Sequence, residues 1–154
     1  MDTSEWRQSL EQVFPRLSGE PFEFVAPASI QYNCIAYATG DASSWWDTVK
    51  EDNYWPDYAT RTRRMESLIE VFTGLGFQRC RNSSLESGFE KVALYEEQGL
   101  WTHAALQTPT GRWRSKMGKG PLIEHISPES LSDGMYGSPT VYMRRSATRS
   151  AISG

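Results

Sequence analysis

Cysteine and histidine are both scarce in this 154-residue chain, with two of each. Cys34 and Cys80 lie far apart without a CxxC pair, which disfavours a disulfide scaffold or a zinc ribbon and leaves reduced thiols as the simple reading. A zinc site of Cys34, Cys80, His103 and His125 is arithmetically possible but lacks the close ligand pairs such sites use. No metal and no cofactor is expected. Positive charge is also in deficit, 16 basic against 19 acidic residues for a net charge of -3, so no overall field attracts a phosphate backbone and nucleic acid is not an expected partner. Long apolar runs are absent, none approaching the roughly 20 residues of a membrane span. The opening Met1-Asp2-Thr3-Ser4-Glu5-Trp6 has neither a basic nor an apolar leader region. The expectation is a cytoplasmic protein, or one exported without a cleavable signal peptide, with no membrane partner.

What is present suits one folded core. Hydrophobic residues make up 38%, aromatics 12% and charged residues 23%, and a chain of this length buries about 70% of its unfolded surface. The expected organisation is a single domain over 1–145 and a flexible tail over 146–154. Trp6, Leu10, Val13 and Phe14 fall at helical spacing behind Ser4, so 4–14 reads as a helix that Pro15 ends. Asn33 is a natural cap for a helix beginning at Cys34 and closing at Gly40. Met65, Leu68, Ile69, Phe72 and Leu75 trace the apolar face of a further helix. Alternating segments follow at 90–96, 100–107, 112–117, 122–126 and 140–144, with Thr108-Pro109-Thr110-Gly111 as a turn. The predicted class is α+β, with N-terminal helices packed on an antiparallel sheet.

The chemistry centres on a cysteine that opens a helix and a histidine that follows on a strand. A thiol attacks only as thiolate, and a helix N-terminus or a neighbouring imidazolium lowers its pKa. Cys34 meets the first condition, and His103 on a sheet packed against that helix offers the second; His125 reads as an exposed, structural strand residue.

Cysteine at a helix start, histidine on a central antiparallel strand and an orienting group on the next strand resemble the papain-like Cys–His hydrolases, in particular their NlpC/P60 and transglutaminase-like branches. The segments Asn33-Cys34-Ile35-Ala36-Tyr37-Ala38, Trp101-Thr102-His103-Ala104-Ala105 and Trp113-Arg114-Ser115-Lys116-Met117-Gly118 also resemble those of an uncharacterised family of small bacterial domains. The likeness covers roughly residues 30–118 in topological order and implies a papain-like arrangement, with Cys34 as nucleophile and His103 as general base. The third position departs from it. Pairing Gln107 with Arg112 sets Lys116 opposite His103, and a shift of one residue sets Ser115 there, neither being the Asp, Asn, Glu or His of such a triad. Side-chain polarity favours Ser115, and Glu124 is a more distant substitute.

Gln31 or Tyr32, just before Cys34, and the backbone at Asn33–Cys34 are the candidate oxyanion donors. Trp45, Trp46 and Trp55, in the aromatic stretch Ser43–Tyr58, either stack on a peptide or sugar substrate or cover a core edge. Lys116 is a candidate for substrate binding by its amine. Two functions follow: a cysteine-dependent hydrolase or acyltransferase acting on an amide, thioester or ester of a peptide or protein, or a catalytically inactive interaction or neutralising module that presents the Trp-rich loop to a protein partner.

Overall fold

The computed structural model describes residues 3–147, and the tail expected over 146–154 lies outside them from residue 148 onward. The chain is α+β. Helix α1 spans Thr3–Val13 and gives way at Pro15 to a 3-10 turn, Pro15–Ser18, because proline cannot donate the next helical hydrogen bond. Strand β1 is Glu23–Ala26, helix α2 is Cys34–Thr39 and helix α3 is Met65–Gly74. Strands β2 (Gln78–Cys80), β3 (Phe89–Glu97), β4 (Leu100–Gln107), β5 (Trp113–Lys116), β6 (Leu122–His125) and β7 (Ser138–Ser146) follow, with a 3-10 turn at Pro128–Leu131. All seven strands join one antiparallel sheet in the order β1-β6-β5-β4-β3-β7-β2. Ser146, expected in the tail, ends β7 instead, paired with Phe89.

The sheet is covered on both faces. Against one lie α2, α3 and the aromatic loop, burying Ile35, Ala36, Trp46, Trp55, Leu68 and Phe72 on Val92, Leu94, Trp101 and Ala104. Against the other lie α1 and its following turn, burying Leu10, Phe14 and Leu17 on Ala93, Tyr95, Ala105, Trp113 and Ile123. Trp101 and Ala104 share a face although they are three residues apart. The β3–β4 register shifts between Tyr95, opposite His103, and Glu96, opposite Trp101, leaving Thr102 as the extra residue of a bulge. That bulge decides where His103 points.

Candidate functional site

Helix α2 starts as its sequence dictates. Asn33 caps it, its side-chain oxygen accepting the Ala36 N–H at 3.2 Å, and Gly40 closes it at φ 98°, a left-handed conformation that glycine adopts without a Cβ penalty. The same carboxamide also clamps the aromatic loop, accepting the Trp46 N–H at 3.1 Å and donating to the Trp46 carbonyl at 2.7 Å. Trp46 is thereby buried, its indole N–H donating to Asp41 at 2.8 Å. Burial raises the Asp41 carboxyl, but hydrogen bonds from Trp46, Ser43 and Ser44 outweigh it and bring the pKa down to about 2. Trp55 stacks flat on Trp101, centroids 5.5 Å apart, and donates to the Thr60 carbonyl. Of the two readings of the aromatic stretch, the structural one holds for Trp46 and Trp55, which are core residues.

Cys34 opens α2 but is buried against β4. Burial dominates its chemistry and pushes the thiol up to about 11, although backbone N–H groups of Ala104, Ile35 and Cys34 itself and the charge of Lys116 pull the other way. A thiol at that value carries about one thiolate per ten thousand molecules at neutral pH. The expected partner is elsewhere. His103 stands opposite Tyr95 and stacks on Tyr136, 4.1 Å between centroids at 10°, on the α1 face of the sheet. Neither of its ring nitrogens has a hydrogen-bond partner among the described residues, so Cys34 does not bond it. Burial, and secondarily the charge of His125, hold the His103 imidazole well below its ordinary pKa. The bulge at Thr102 turns Ala104 toward Cys34 in the place where the dyad needs a histidine.

The third position is corrected as well. Gln107 pairs with Trp113 and Leu106 with Arg114, a register one residue from the pairing that sets Lys116 opposite His103 and two from the one that sets Ser115 there, so neither faces His103. Ser115 bonds His125 Nε2 at 2.8 Å instead, and His125 Nδ1 lies 2.8 Å from the Ser127 carbonyl. His125 is fully buried rather than exposed. Glu124 pairs with Arg114 at 3.0 Å.

Lys116, expected on a solvated face, is buried on the same side of the sheet as Cys34. Its ammonium donates to the carbonyls of Ser29 and Gly118, both at 2.6 Å, and lies over the rings of Tyr32 at 4.8 Å and Trp45 at 6.0 Å. Burial lowers it to about 8, with Cys34 opposing the shift. Tyr32 thus seats a lysine rather than an oxyanion, and exposed Gln31 turns its backbone N–H to Ser29 Oγ at 3.0 Å.

Above this cluster two shallow depressions meet. One, about 420 Å³, is lined by Ile30, Trp45, Asp47, Val49, Lys50, Asn53 and Lys119. The other, about 530 Å³, runs along Pro27–Gln31 and shares Ile30 and Lys119. Ile30 is 74% and Val49 68% exposed. The rim is fixed from below: Asp47 Oδ1 accepts the N–H groups of Thr48 and Val49, and the Arg61 guanidinium donates to the carbonyls of Thr48, Lys50 and Asn53. Ile30, Val49, Lys50 and Lys119 carry no motif in the sequence; their one signal is an isolated aliphatic residue between Ser29 and Gln31 in a Pro- and Ser-bearing loop.

Among the described residues no group of three or more His, Cys, Asp or Glu is placed to hold a metal ion, and no helix is long and apolar enough to cross a membrane. No curated protein and no solved structure matches the chain. The model of a domain family of unknown function, DUF7689, matches residues 23–144, every strand but the last two residues of β7 and the whole Cys34–Lys116 cluster included, and the chain belongs to that family.

Proposed function

We propose that this domain is a protein-interaction module whose binding surface is the groove between the Pro27–Gln31 loop and the Trp45–Asn53 loop. The observation that carries the reading is the pair of exposed aliphatic side chains, Ile30 and Val49, set beside Trp45 on loops that side-chain hydrogen bonds hold in place. Isolated exposed apolar residues need no explanation, but a contiguous set on a rigid rim marks contact surfaces. Lys50 and Lys119 border the groove, while Asp47, its one carboxylate, is occupied by backbone donors. The fitting occupant is an extended peptide segment that places a bulky apolar side chain between Ile30 and Val49 and a carboxylate between the two lysines.

Selection from a random displayed-peptide library tests this. The expected outcome is enrichment of aliphatic or aromatic residues flanked by Asp or Glu, with the enriched peptides losing at least about tenfold in affinity to Ile30→Glu and to Lys119→Glu. Enrichment without that motif, or binding indifferent to both substitutions, overturns the reading.

A cysteine hydrolase or acyltransferase is the second reading, favoured by the electrostatic coupling of Cys34 with Lys116 at the start of α2. Lys116 would then replace His103 as the proton acceptor. A thiol near 11 beside an amine near 8 keeps its proton by about a thousandfold, and this ranks the enzyme below the binding module.

A further inference from the structure

The α1 face of the sheet hides an imidazole that nothing satisfies. His103 is fully buried, and both its nitrogens lack partners among the described residues; native interiors leave few polar groups in that state. The groups around it are identifiable from each packed element. Tyr95 on β3 meets the ring edgewise at 5.1 Å, and its hydroxyl donates to the Pro128 carbonyl. His125 on β6 is the charge-bearing neighbour, itself tied to Ser115 on β5 and to the Ser127 carbonyl. The α1 side contributes the apolar Leu10, Phe14 and Leu17. The carboxylates of the surrounding layer are engaged elsewhere: Glu129 accepts from Tyr142, Glu20 from Ser130, and Asp133 pairs with Arg16. The remaining wall is Tyr136, stacked on the imidazole.

The walls differ in strength. Tyr95 and His125 sit on hydrogen-bonded strands. Tyr136 sits on the loop 132–137, which is outside the strand ladder and is held by a hydrogen bond from Thr102 Oγ1 to the Tyr136 carbonyl at 2.6 Å, one from the Ser132 N–H to the Glu129 carbonyl at 3.0 Å, the packing of Tyr136 on Phe14 at 4.9 Å, and the exposed Arg16–Asp133 pair at 2.9 Å, an interaction of a kind that contributes little. The turn is tight, Gly137 donating to the Gly134 carbonyl, with Asp133 at φ 67° and Gly137 at φ 71°, and Met135 is exposed at its tip.

We propose that the 132–137 loop is an acid-released flap: protonation of His103 drives Tyr136 out of the ring stack and admits water to the imidazole while the sheet stays paired. Closed, the pocket disfavours the imidazolium; open, the imidazole titrates near its ordinary value of about 6.5. The open form therefore binds the extra proton, and below that pH each unit of acidification multiplies its population about tenfold.

Hydrogen exchange followed by mass spectrometry on the whole domain tests this, with each peptide referred to its unstructured rate at the same pH. On going from about pH 6.5 to about pH 5.5, the peptide covering 132–137 should lose about fivefold in protection and remain less protected than the β3 and β4 peptides at both values. His103→Phe, which keeps an aromatic ring and removes the proton site, should abolish that response. Flap protection equal to that of the β3 and β4 peptides at both pH values, or an unchanged flap response in His103→Phe, overturns the proposal. The wild-type imidazole resonances give a measurement that does not depend on the variant folding: His103 must titrate together with flap opening, and a His103 still neutral while the flap opens refutes the mechanism.

Discussion

The two faces of the sheet part company over one buried polar group, His103. Beneath α2 every prominent one is tied to a loop: Asn33 to Trp46, Lys116 to Ser29 and Gly118, the indole N–H of Trp55 to Thr60 and that of Trp101 to Thr62. Beneath α1 the core is sealed by Leu10, Phe14, Leu17 and Tyr136; Tyr95 and His125 are likewise tied to the Pro128 and Ser127 carbonyls, but His103 is enclosed without a partner among the described residues. Hydrogen bonds that reach from a core into a loop fix that loop's shape, which suits a recognition surface. An enclosed, unsatisfied imidazole instead makes its layer sensitive to protons.

Acid breaks the comparison most strongly. Burial lowers His125 to about 4, although the Ser127 carbonyl and Glu124 favour its charged form. A histidine lowered in the fold contributes stability that is complete above its unfolded value of about 6.5 and is lost as pH falls toward the folded value, about 3 kcal/mol in all for this residue. Urea midpoints should decline steadily from about pH 6.5 to about pH 4, and His125→Asn should reduce the decline; an acid limb unchanged by that substitution would show that His125 is not its source.

On the other face, Asn33→Ala removes the α2 cap and leaves both Trp46 backbone groups unpaired. The expected loss is about 3 kcal/mol in chemical denaturation, a cap plus one stranded backbone pair. Lys116→Met keeps the stem and removes the ammonium from the Ser29 and Gly118 carbonyls. It should cost only about 1 to 2 kcal/mol yet release the Pro27–Gln31 loop, seen as faster hydrogen exchange there. The smallest stability effect is expected from Ile30→Glu, within about 0.5 kcal/mol because the side chain is exposed, while peptide binding is lost. A substantial loss of stability would place Ile30 in the core.

Much of the scaffold was legible in the sequence. Asn33 and Gly40 bound α2 by capping chemistry, and Pro15 ends α1. Three features escaped for physical reasons. The β2 strand, Gln78–Cys80, is short and edge-placed with exposed polar residues, so it carries no apolar alternation. The Thr102 bulge inverts the facing of His103, and bulges leave no composition signal. Lys116 reads as solvated by residue type, but its buried position depends on a carbonyl 87 residues away in sequence. The aromatic stretch has no period, so nothing in it distinguished Trp45 at the groove from Trp46 and Trp55 in the core.

Cys34 and His103 lie in the two opposite core layers, and the thiol is left unactivated. Competitive alkylation with iodoacetamide near neutral pH, read by peptide mass spectrometry, tests this most directly. Cys80, which is partly exposed, should label faster than buried Cys34, and the Cys34 rate should not depend on His103→Phe. A Cys34 that labels faster than Cys80 and slows when His103 is replaced would contradict the separation and restore the Cys–His dyad.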